Sequence, residues 1–315
     1  MFAPHAGLPF VGIPTFAGVP HVSLEDAWRA DAAVIGVPYD FAVGFRPGAR
    51  FAPRAIRDSS MRYPISAGPM WLGDINRYLY ESAIVVDVGD VDIVQLEYEE
   101  SFRRITESIR ALRAHDAIPV VLGGDHSITY PVIRGFDGAE PLHIIQFDAH
   151  LDYLDFRSGT RYSNSSPFRR IQESGRVKSI TTVGLRGIRT SPDAYRDATA
   201  AGNTLIWASD VEDHGIEWVT RQFPKGAFCY VSIDIDGLDA AIAPGTGSPE
   251  PGGLTFRALQ RMLRWIADNT TVVGFDLVEV SPMVDPTGMT SLVAAHIVVE
   301  FLGMVLSARR QQDAQ

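Results

Sequence analysis

Three short segments combine histidine and aspartate at spacings that suit a metal site. They read Gly123-Gly124-Asp125-His126-Ser127, Phe147-Asp148-Ala149-His150-Leu151-Asp152 and Ser232-Ile233-Asp234-Ile235-Asp236. Because alternate residues of an extended chain share a face, Asp148, His150 and Asp152 can converge, and so can Asp234 and Asp236. The candidate ligands are therefore His126, Asp148, His150, Asp152, Asp234 and Asp236.

The electrostatics of this set favour bound cations. Four carboxylates gathered at the end of a buried sheet repel one another and lose hydration, which costs several kcal/mol for each uncompensated ion. Two divalent ions would balance Asp148, Asp152, Asp234 and Asp236, with His126 and His150 as neutral ligands. Mixed imidazole and carboxylate ligation favours Mn, Fe, Ni or Zn over Ca or Mg, and the absence of thiolates argues against a structural zinc site. Two ions about 3.5–4 Å apart could lower the pKa of a bound water to about 7.

Other polar residues are predicted to have structural roles. Asp125 is expected to cap a turn or to support the site, because an isolated Asp at a strand end usually does so. Asp90 and Asp92 repeat the Asp-x-Asp spacing, but no histidine accompanies them, so they are predicted to be loop or support residues. The histidines without partners at ligand spacing are expected to be structural or exposed, namely His5, His21, His115, His143, His214 and His296.

The elements that must position these residues form an alternating pattern of strands and helices. Strand-like runs are apolar nearly throughout, as in a sheet covered on both faces; they are Ala32–Val37, Ala83–Val88, Ile118–Leu122, His143–Phe147, Ile180–Leu185, Thr204–Trp207, Ala227–Ile233 and Thr271–Leu277. Helical stripes are formed by Phe102, Ile105, Ile109 and Leu112 and by Leu259, Met262, Leu263 and Ile266, and a last helix is predicted over Ser291–Ala308. This pattern predicts an α/β fold with a mainly parallel sheet and helices on both sides. The candidate ligands would then lie at carboxyl ends of strands, where open parallel sheets bind ligands.

The chain is interpreted as one domain over residues 1–315, because no linker or fixed-period repeat divides it. Residues 1–22 are expected to form an irregular arm that packs on the surface or on a neighbouring subunit.

Composition excludes several classes of protein. With 46% hydrophobic and 21% charged residues, the chain is not expected to be disordered or a coiled coil. The net charge of −10 and the absence of a Lys/Arg run argue against binding to nucleic acid or an anionic membrane. A single Cys229 excludes an internal disulfide framework. No apolar stretch is expected to reach the ~20 residues needed to span a bilayer. The start lacks the features of a signal peptide, so a cytoplasmic protein is predicted.

The motifs, taken in order, resemble those of the ureohydrolase (arginase/agmatinase) family. Further matching segments are Arg46-Pro47-Gly48-Ala49-Arg50, Ala55-Ile56-Arg57, Ala243-Pro244-Gly245-Thr246-Gly247 and the stretch Gly274–Pro282. The resemblance runs from about Gly12 to the last helix, and Ile13-Pro14-Thr15-Phe16 with Phe275–Pro282 is closer to the agmatinase branch. It implies a three-layer αβα fold with an eight-stranded, mainly parallel sheet, two Mn²⁺ per subunit, with Ni²⁺ or Zn²⁺ as alternatives, and trimers or hexamers.

The resemblance also implies roles for individual residues. One metal would take His126, Asp148, Asp152 and Asp234, and the other would take Asp148, His150, Asp234 and Asp236, so Asp148 and Asp234 would bridge. Glu279 matches the family residue that pairs with the substrate guanidinium, which a carboxylate can bind through two charge-assisted hydrogen bonds. Asp148, Asp234 and Glu279 would thus carry catalysis, in which activated water attacks the guanidinium carbon and urea and an amine are released.

One segment departs from the family pattern. Tyr162-Ser163-Asn164-Ser165-Ser166-Pro167-Phe168 places Asn164 where many relatives carry a proton-shuttling histidine. Asn cannot titrate, although it can hydrogen-bond a substrate nitrogen, so Asn164 and Ser165 are expected to contact the substrate. Another group or water could protonate the leaving amine, the substrate could differ from agmatine, or activity could be low. Arg169 and Arg170 could meet a carboxylate tail, although such pairs are more typical of a solvated helix face.

Three functions follow from these observations. The first is agmatinase-like hydrolysis of a small cationic guanidino compound, agmatine to putrescine, in polyamine metabolism. The second is hydrolysis of guanidinobutyrate or of another guanidino or formimino compound, with the same metal centre and a different loop around Asn164. The third is a non-catalytic metal-binding protein on the same fold, in which Asn164 marks lost activity.

Overall fold

The computed structural model describes residues 8–138 and 141–313. Its main sheet is built from β1 (Ala32–Gly36), β4 (Val85–Asp90), β5 (Ile118–Leu122), β6 (Leu142–Phe147), β7 (Val177–Leu185), β8 (Thr204–Trp207), β9 (Phe228–Asp234) and β10 (Thr271–Val278); a separate pair comprises β2 (Met70–Leu72) and β3 (Arg77–Leu79). The order across the main sheet is β4-β1-β5-β10-β9-β6-β7-β8, and every neighbouring pair is parallel. The predicted α/β class, with an eight-stranded sheet, is confirmed.

Helices cover both faces of this sheet. They are α1 (Ala52–Ser60), α2 (Tyr98–Ala114), α3 (Thr129–Arg134), α4 (Pro167–Glu173), α5 (Pro192–Ala200), α6 (Ala208–His214), α7 (Ile216–Thr220), α8 (Phe256–Asn269) and α9 (Met289–Asp313). Helices α1 and α6 to α9 contribute to one buried apolar cluster, and α2 to α5 contribute to another on the opposite face. Two clusters separated by a sheet give the three layers that near-continuous apolar strands require.

The predicted strands all take part in the main sheet, but the β2–β3 hairpin is an addition. It pairs antiparallel, with Met70 opposite Leu79 and Leu72 opposite Arg77. Each of its strands has only three residues, and these are mostly half-buried or exposed. Such short segments carry neither a continuous apolar run nor a readable period, so the sequence pattern does not reveal them.

Helix α9 is longer than the predicted Ser291–Ala308 and corrects one expectation. Its Met289–Gln311 segment is long and apolar enough to cross a membrane by length and composition, and its most apolar 18-residue window has a mean hydropathy of 1.9. The expectation that no apolar stretch reaches that length is therefore wrong. Within the fold, however, 78% of the most apolar window is buried. The helix is apolar because it packs between α1, α8 and the sheet.

The N-terminal arm packs on its own chain where the structure describes it. The backbone N–H of Phe16 donates to Asp87 Oδ2 at 2.8 Å, and that of Ala17 donates to Ser60 Oγ at 2.7 Å. Phe16 is fully buried, whereas Phe10 and Ile13 are exposed. Residues 1–7, including His5, lie outside the described residues. The assignment of residues 1–315 to a single domain stays a prediction.

Candidate metal centre and active-site cavity

The candidate residues follow four strands that are adjacent at the centre of the sheet, in the order β5, β10, β9 and β6. His126 follows β5, Asp148 follows β6, Asp234 ends β9, and Glu279 follows β10. Because parallel strands end at one edge, residues separated by up to 153 positions meet there. Gly124 permits the β5 turn, since a Cβ at this position would lie 2.0 Å from the Tyr39 carbonyl oxygen.

The first group of candidate ligands surrounds the ring nitrogen Nδ1 of His126. This atom lies 3.1 Å from Asp148 Oδ2, 3.2 Å from Asp152 Oδ2 and 3.1 Å from Asp234 Oδ2. His126 and Asp148 are fully buried. One ligand atom from each of these four residues lies within 4.8 Å of the others, a spacing that could hold one metal ion.

A second group shares Asp148 with the first. His150 Nδ1 lies 3.1 Å from Asp236 Oδ2 and 3.6 Å from Asp148 Oδ1. The ligand atoms of Asp148, His150 and Asp236 also lie within 4.8 Å of one another. The structure thus brings all six predicted ligands into two adjoining groups. Asp148 is common to both, whereas Asp234 belongs to the first group only.

The donor set fits divalent cations. His126 Nδ1 is buried and has no hydrogen-bond partner among the described residues, although three carboxylates face it. Burial raises the pKa of Asp234 well above its usual range, and burial together with Asp148 raises that of Asp152 to about 6. Carboxylates packed this closely must be compensated by protons or by cations. An imidazole nitrogen placed among carboxylate oxygens is a donor set that transition-metal ions use.

A buried network holds His126 from behind. His126 Nε2 lies 3.0 Å from Ser232 Oγ, which donates to Asp276 Oδ1 at 2.6 Å. Asp276 Oδ2 also accepts hydrogen bonds from Thr129 Oγ1 at 2.8 Å and from Tyr230 Oη at 2.9 Å. Supporting partners of this kind fix the orientation of a metal-binding imidazole. Asp276 was not among the predicted site residues; the available signal was a charged residue within the otherwise apolar run of β10.

Replacing Asp276 with Ala should destabilise the fold. Three buried hydroxyls would lose their acceptor, and we expect the free energy of unfolding to fall by about 3 kcal/mol. Denaturant unfolding monitored by circular dichroism measures this change. Asp268→Ala is the control because Asp268 is half-exposed in a surface pair with Arg77 and should cost less than about 1 kcal/mol. Equal losses in the two variants would contradict the role given to Asp276.

Asp148 has its own support. Gln146 Nε2 donates to Asp148 Oδ2 at 2.7 Å, and Thr182 Oγ1 donates to Gln146 Oε1 at 2.8 Å. The backbone N–H of His150 donates to Asp148 Oδ1 at 2.6 Å. Both oxygens of Asp148 are therefore oriented by fixed donors, which preorganises the carboxylate that the two groups share.

Glu279 lies against the first group and is held by two donors. Its Oε1 accepts from the backbone N–H of His126 at 2.9 Å and from Asn164 Nδ2 at 3.2 Å. Burial, with a smaller contribution from Asp125, raises the pKa of Glu279 to about 8. A buried carboxylate of this kind is strongly stabilised by a cation that pairs with it. Asn164 thus orients Glu279, a contact not anticipated from the sequence.

Backbone conformation marks two of these positions. Asp152 has a φ of 48° and Glu279 has a φ of 64°, both in the left-handed region that non-glycine residues rarely occupy. Residues held in such conformations cost of order 1–3 kcal/mol each and cluster at functional sites. Here the surrounding strand ends hold both side chains towards the same cavity.

A cavity of about 470 Å³ opens over the two groups. The predicted site residues that line this cavity are His150, Asp152, Asn164, Ser165, Asp234, Asp236 and Glu279. Its volume suits a small ligand. Arg169 and Arg170 do not line it: Arg169 pairs with Asp197 and Glu173, and Arg170 pairs with Asp155 and Glu173. Arg170 is nevertheless buried, so its side chain is not on a solvated face.

The remaining predicted support residues have structural partners. Asp125 caps the turn at His126, accepting from the Ser127 N–H at 2.9 Å, as expected. Asp90 pairs with Arg57 at 2.6 Å, and Asp92 pairs with Arg104. Each described histidine outside the two groups lies away from the cavity: His21 and His143 form hydrogen bonds, His214 packs on Trp218, His296 pairs with Glu300, and His115 is half-buried.

Known proteins show the same sequence pattern and fold. The family model described as Arginase, arginase family, matches residues 30–303. The chain is 38% identical to a mitochondrial guanidino acid hydrolase of Homo sapiens, covering 86% of this chain and 77% of that protein, and 36% identical to a mitochondrial agmatinase of Gallus gallus, covering 86% and 80%. The structure of proclavaminate amidino hydrolase from Streptomyces clavuligerus superposes with a TM-score of 0.85 at 32% identity, covering 95% of this chain and 99% of that one. With the ordered motifs and the strand-end cluster, these matches show that the chain belongs to the arginase family.

Proposed function

We propose that the protein hydrolyses a small guanidino compound to urea and an amine. The observation that carries the proposal is that the buried, unpartnered His126 Nδ1 faces three carboxylates, and that two of these, Asp152 and Asp234, line one cavity together with the oriented carboxylate of Glu279. A guanidinium needs a planar anionic partner, and the carbon that it carries needs an activated water. Glu279 and the two groups of candidate ligands would meet these requirements at one edge of the sheet.

The residues that would hold two divalent ions are those predicted from the sequence. His126, Asp148, Asp152 and Asp234 would bind one ion, and Asp148, His150, Asp236 and Asp234 would bind the other; Mn²⁺ is the first choice, with Ni²⁺ or Zn²⁺ as alternatives. When bound, the ions supply Lewis-acid activation of water and stabilise the charge that develops during attack. The fixed donors to Asp148 direct one of its oxygens towards each group.

Glu279 would bind and orient the guanidinium head. Hydrogen bonds from His126 N and Asn164 Nδ2 hold Oε1, and they fix the plane in which the carboxylate meets its partner. Such positioning of the reacting carbon contributes to rate by itself. In the overall reaction the water oxygen ends on the urea carbon, the C–N bond to the substrate tail breaks, and both water hydrogens end on the released nitrogen, which leaves as an alkylammonium.

The tail of the substrate distinguishes two candidates. The agmatinase-like motifs favour agmatine, which would give putrescine. The cavity also contains arginines, which favour an acid such as 4-guanidinobutyrate. Similar proteins include both a guanidino acid hydrolase and an agmatinase by name, so relatedness supports both candidates.

Urea release from a panel of guanidino compounds tests the proposal. Protein reconstituted separately with Mn²⁺, Ni²⁺ and Zn²⁺ should release urea from at least one of agmatine, arginine, 3-guanidinopropionate and 4-guanidinobutyrate, and chelation should remove the activity. No urea from any compound with any metal would overturn the enzymatic proposal in favour of a non-catalytic metal-binding protein. The trimer or hexamer and the cytoplasmic location remain predictions.

A further inference from the structure

Three arginines line the cavity beyond the candidate metal groups. Arg46, Arg157 and Arg189 all contribute to its wall. Arg157 is half-buried, and the other two are exposed. Besides the predicted site residues, the only acidic residue in the described lining is Glu250, whose Oε1 lies 3.7 Å from His150 Nε2. The part of the cavity away from the metal groups therefore carries more positive than negative side chains.

These arginines differ from their neighbours in having no carboxylate partner. Arg46, Arg157 and Arg189 form no ion pair with any residue in the described part of the chain, and Arg46 stacks on the ring of Phe45 at 4.9 Å. Three other arginines close by are paired: Arg161, Arg169 and Arg170 each contact Asp or Glu side chains. Guanidinium groups that face a ligand cavity without an anion are free to take one from the ligand.

Arg157 is also connected to the predicted guanidinium partner. Its Nη1 donates to Ser165 Oγ at 3.3 Å, Ser165 Oγ lies 3.5 Å from Asn164 Oδ1, and Asn164 Nδ2 donates to Glu279 at 3.2 Å. Three consecutive polar contacts thus run along the wall from Glu279 to Arg157. A ligand whose guanidinium pairs with Glu279 would direct a short tail along this wall towards the arginine.

The charges of the two ends then select the tail. An ammonium tail, as in agmatine, would meet like charge from Arg157 and Arg189. A carboxylate tail would accept charge-assisted hydrogen bonds from them, and arginine can provide these in pairs. The negative groups that could attract an ammonium are mostly at the other end, where metal ions would neutralise them.

We infer that this cavity selects a guanidino acid, with Glu279 binding the guanidinium and Arg157, assisted by Arg189, binding the carboxylate tail. The inference rests on the proposed function and names its substrate class. Arg157 and Arg189 act in it as specificity-determining residues that touch the tail, remote from the carbon that reacts. Arg46, packed on Phe45, adds positive charge to the same wall.

A tail series tests this assignment with 4-guanidinobutyrate, the neutral butylguanidine and agmatine. In the metal-loaded wild type, kcat/KM for the acid should exceed that for butylguanidine by about 10- to 100-fold, the range expected for hydrogen bonds to a charged group. Agmatine should fall below butylguanidine. Agmatine equal to or better than the acid would overturn the inference while leaving the guanidino-hydrolase function intact.

Substitutions of single arginines test which side chains recognise the carboxylate tail. Arg157→Gln should lower kcat/KM for 4-guanidinobutyrate by at least about 10-fold, mainly through KM, and should leave butylguanidine within about twofold. Arg189→Gln makes the same test without disturbing the contact of Arg157 with Ser165. Arg157→Lys should recover part of the loss in kcat/KM for 4-guanidinobutyrate, because lysine restores the positive charge but not the planar guanidinium that binds a carboxylate through two hydrogen bonds. Arg161→Gln is the matched control in the same loop, since Arg161 pairs with Asp155 and Glu173. Equal losses on the acid and butylguanidine would contradict a role at the tail.

Direct binding separates failure of the tail assignment from failure of catalysis. Calorimetric titration should show 4-guanidinobutyrate binding at least about 10-fold more tightly than butylguanidine, and Arg157→Gln should remove the difference. This result is expected whether or not urea is released. Equal affinities of the two compounds in the wild type would overturn the assignment.

Discussion

Asp148→Asn should reduce urea release by at least about 10³-fold and should leave the protein unable to retain two divalent ions. Of the two ligands predicted to be shared, Asp148 is the one that lies in both groups of described residues, and its two oxygens are separately oriented by His150 N and Gln146 Nε2. The amide has the same shape but lacks the charge and one acceptor. Both groups would therefore lose a ligand from a single substitution.

Urea release, metal content and thermal stability check this expectation. Elemental analysis after loading with Mn²⁺ should fall from about two ions per chain to one or none. The rise in melting temperature that Mn²⁺ gives the wild type over chelator-treated protein should shrink, because ligands that bind only the folded state stabilise it. Asp268→Asn, a surface substitution outside the cavity, should match the wild type in all three respects. Two retained ions with near-normal turnover in Asp148→Asn would contradict the shared-ligand assignment.

Glu279→Gln should lower kcat/KM by about 10²- to 10³-fold, because the substrate guanidinium would be left in a buried place without its anionic partner. Gln can still accept from His126 N and Asn164 Nδ2, so the loop and the fold should persist. Metal content should be unchanged, since Glu279 belongs to neither group of candidate ligands. This separation between lost turnover and retained metal distinguishes the variant from Asp148→Asn.

The same urea assay and elemental analysis measure the effect of Glu279→Gln. Glu173→Gln, outside the cavity with Arg161, Arg169 and Arg170 as partners, is the control for removing one negative charge. An equal loss with butylguanidine and 4-guanidinobutyrate is expected, because both carry the same head group. A variant that loses its metal would instead place Glu279 among the ligands, and an unaffected kcat/KM would remove it from the substrate site.

The fold and the metal-binding edge are largely predictable from the sequence for a physical reason. Strands buried on both faces need near-continuous apolar runs, and Asp, His or Glu lies at or within a few residues of the end of each run in β5, β6, β9 and β10. No local sequence pattern specifies the order of the strands in the sheet. The resemblance in motifs is what implied that these four ends would be neighbours.

The residues that the sequence did not reveal act through distant partners. Asp276 lies inside a predicted strand, and its importance appears only when Thr129, Tyr230 and Ser232 converge on it. Arg157 and Arg189 lie in loops, where no hydrophobic periodicity predicts which way a side chain points. The adjacent Arg169 and Arg170 were considered as partners of a carboxylate tail, but they pair with the surface carboxylates of Asp197 and Asp155.

In the proposed function, the floor of the cavity, where hydrolysis would take place, follows the ends of central strands, and the wall that would face the substrate tail lies on the loops around residues 157–165 and 189. Because of this separation, the loops can be exchanged without altering the residues at the strand ends. Exchanging those loops with segments from other family members should reprogramme which side chain a substrate can carry, while the strand-borne machinery for breaking the C–N bond is inherited unchanged.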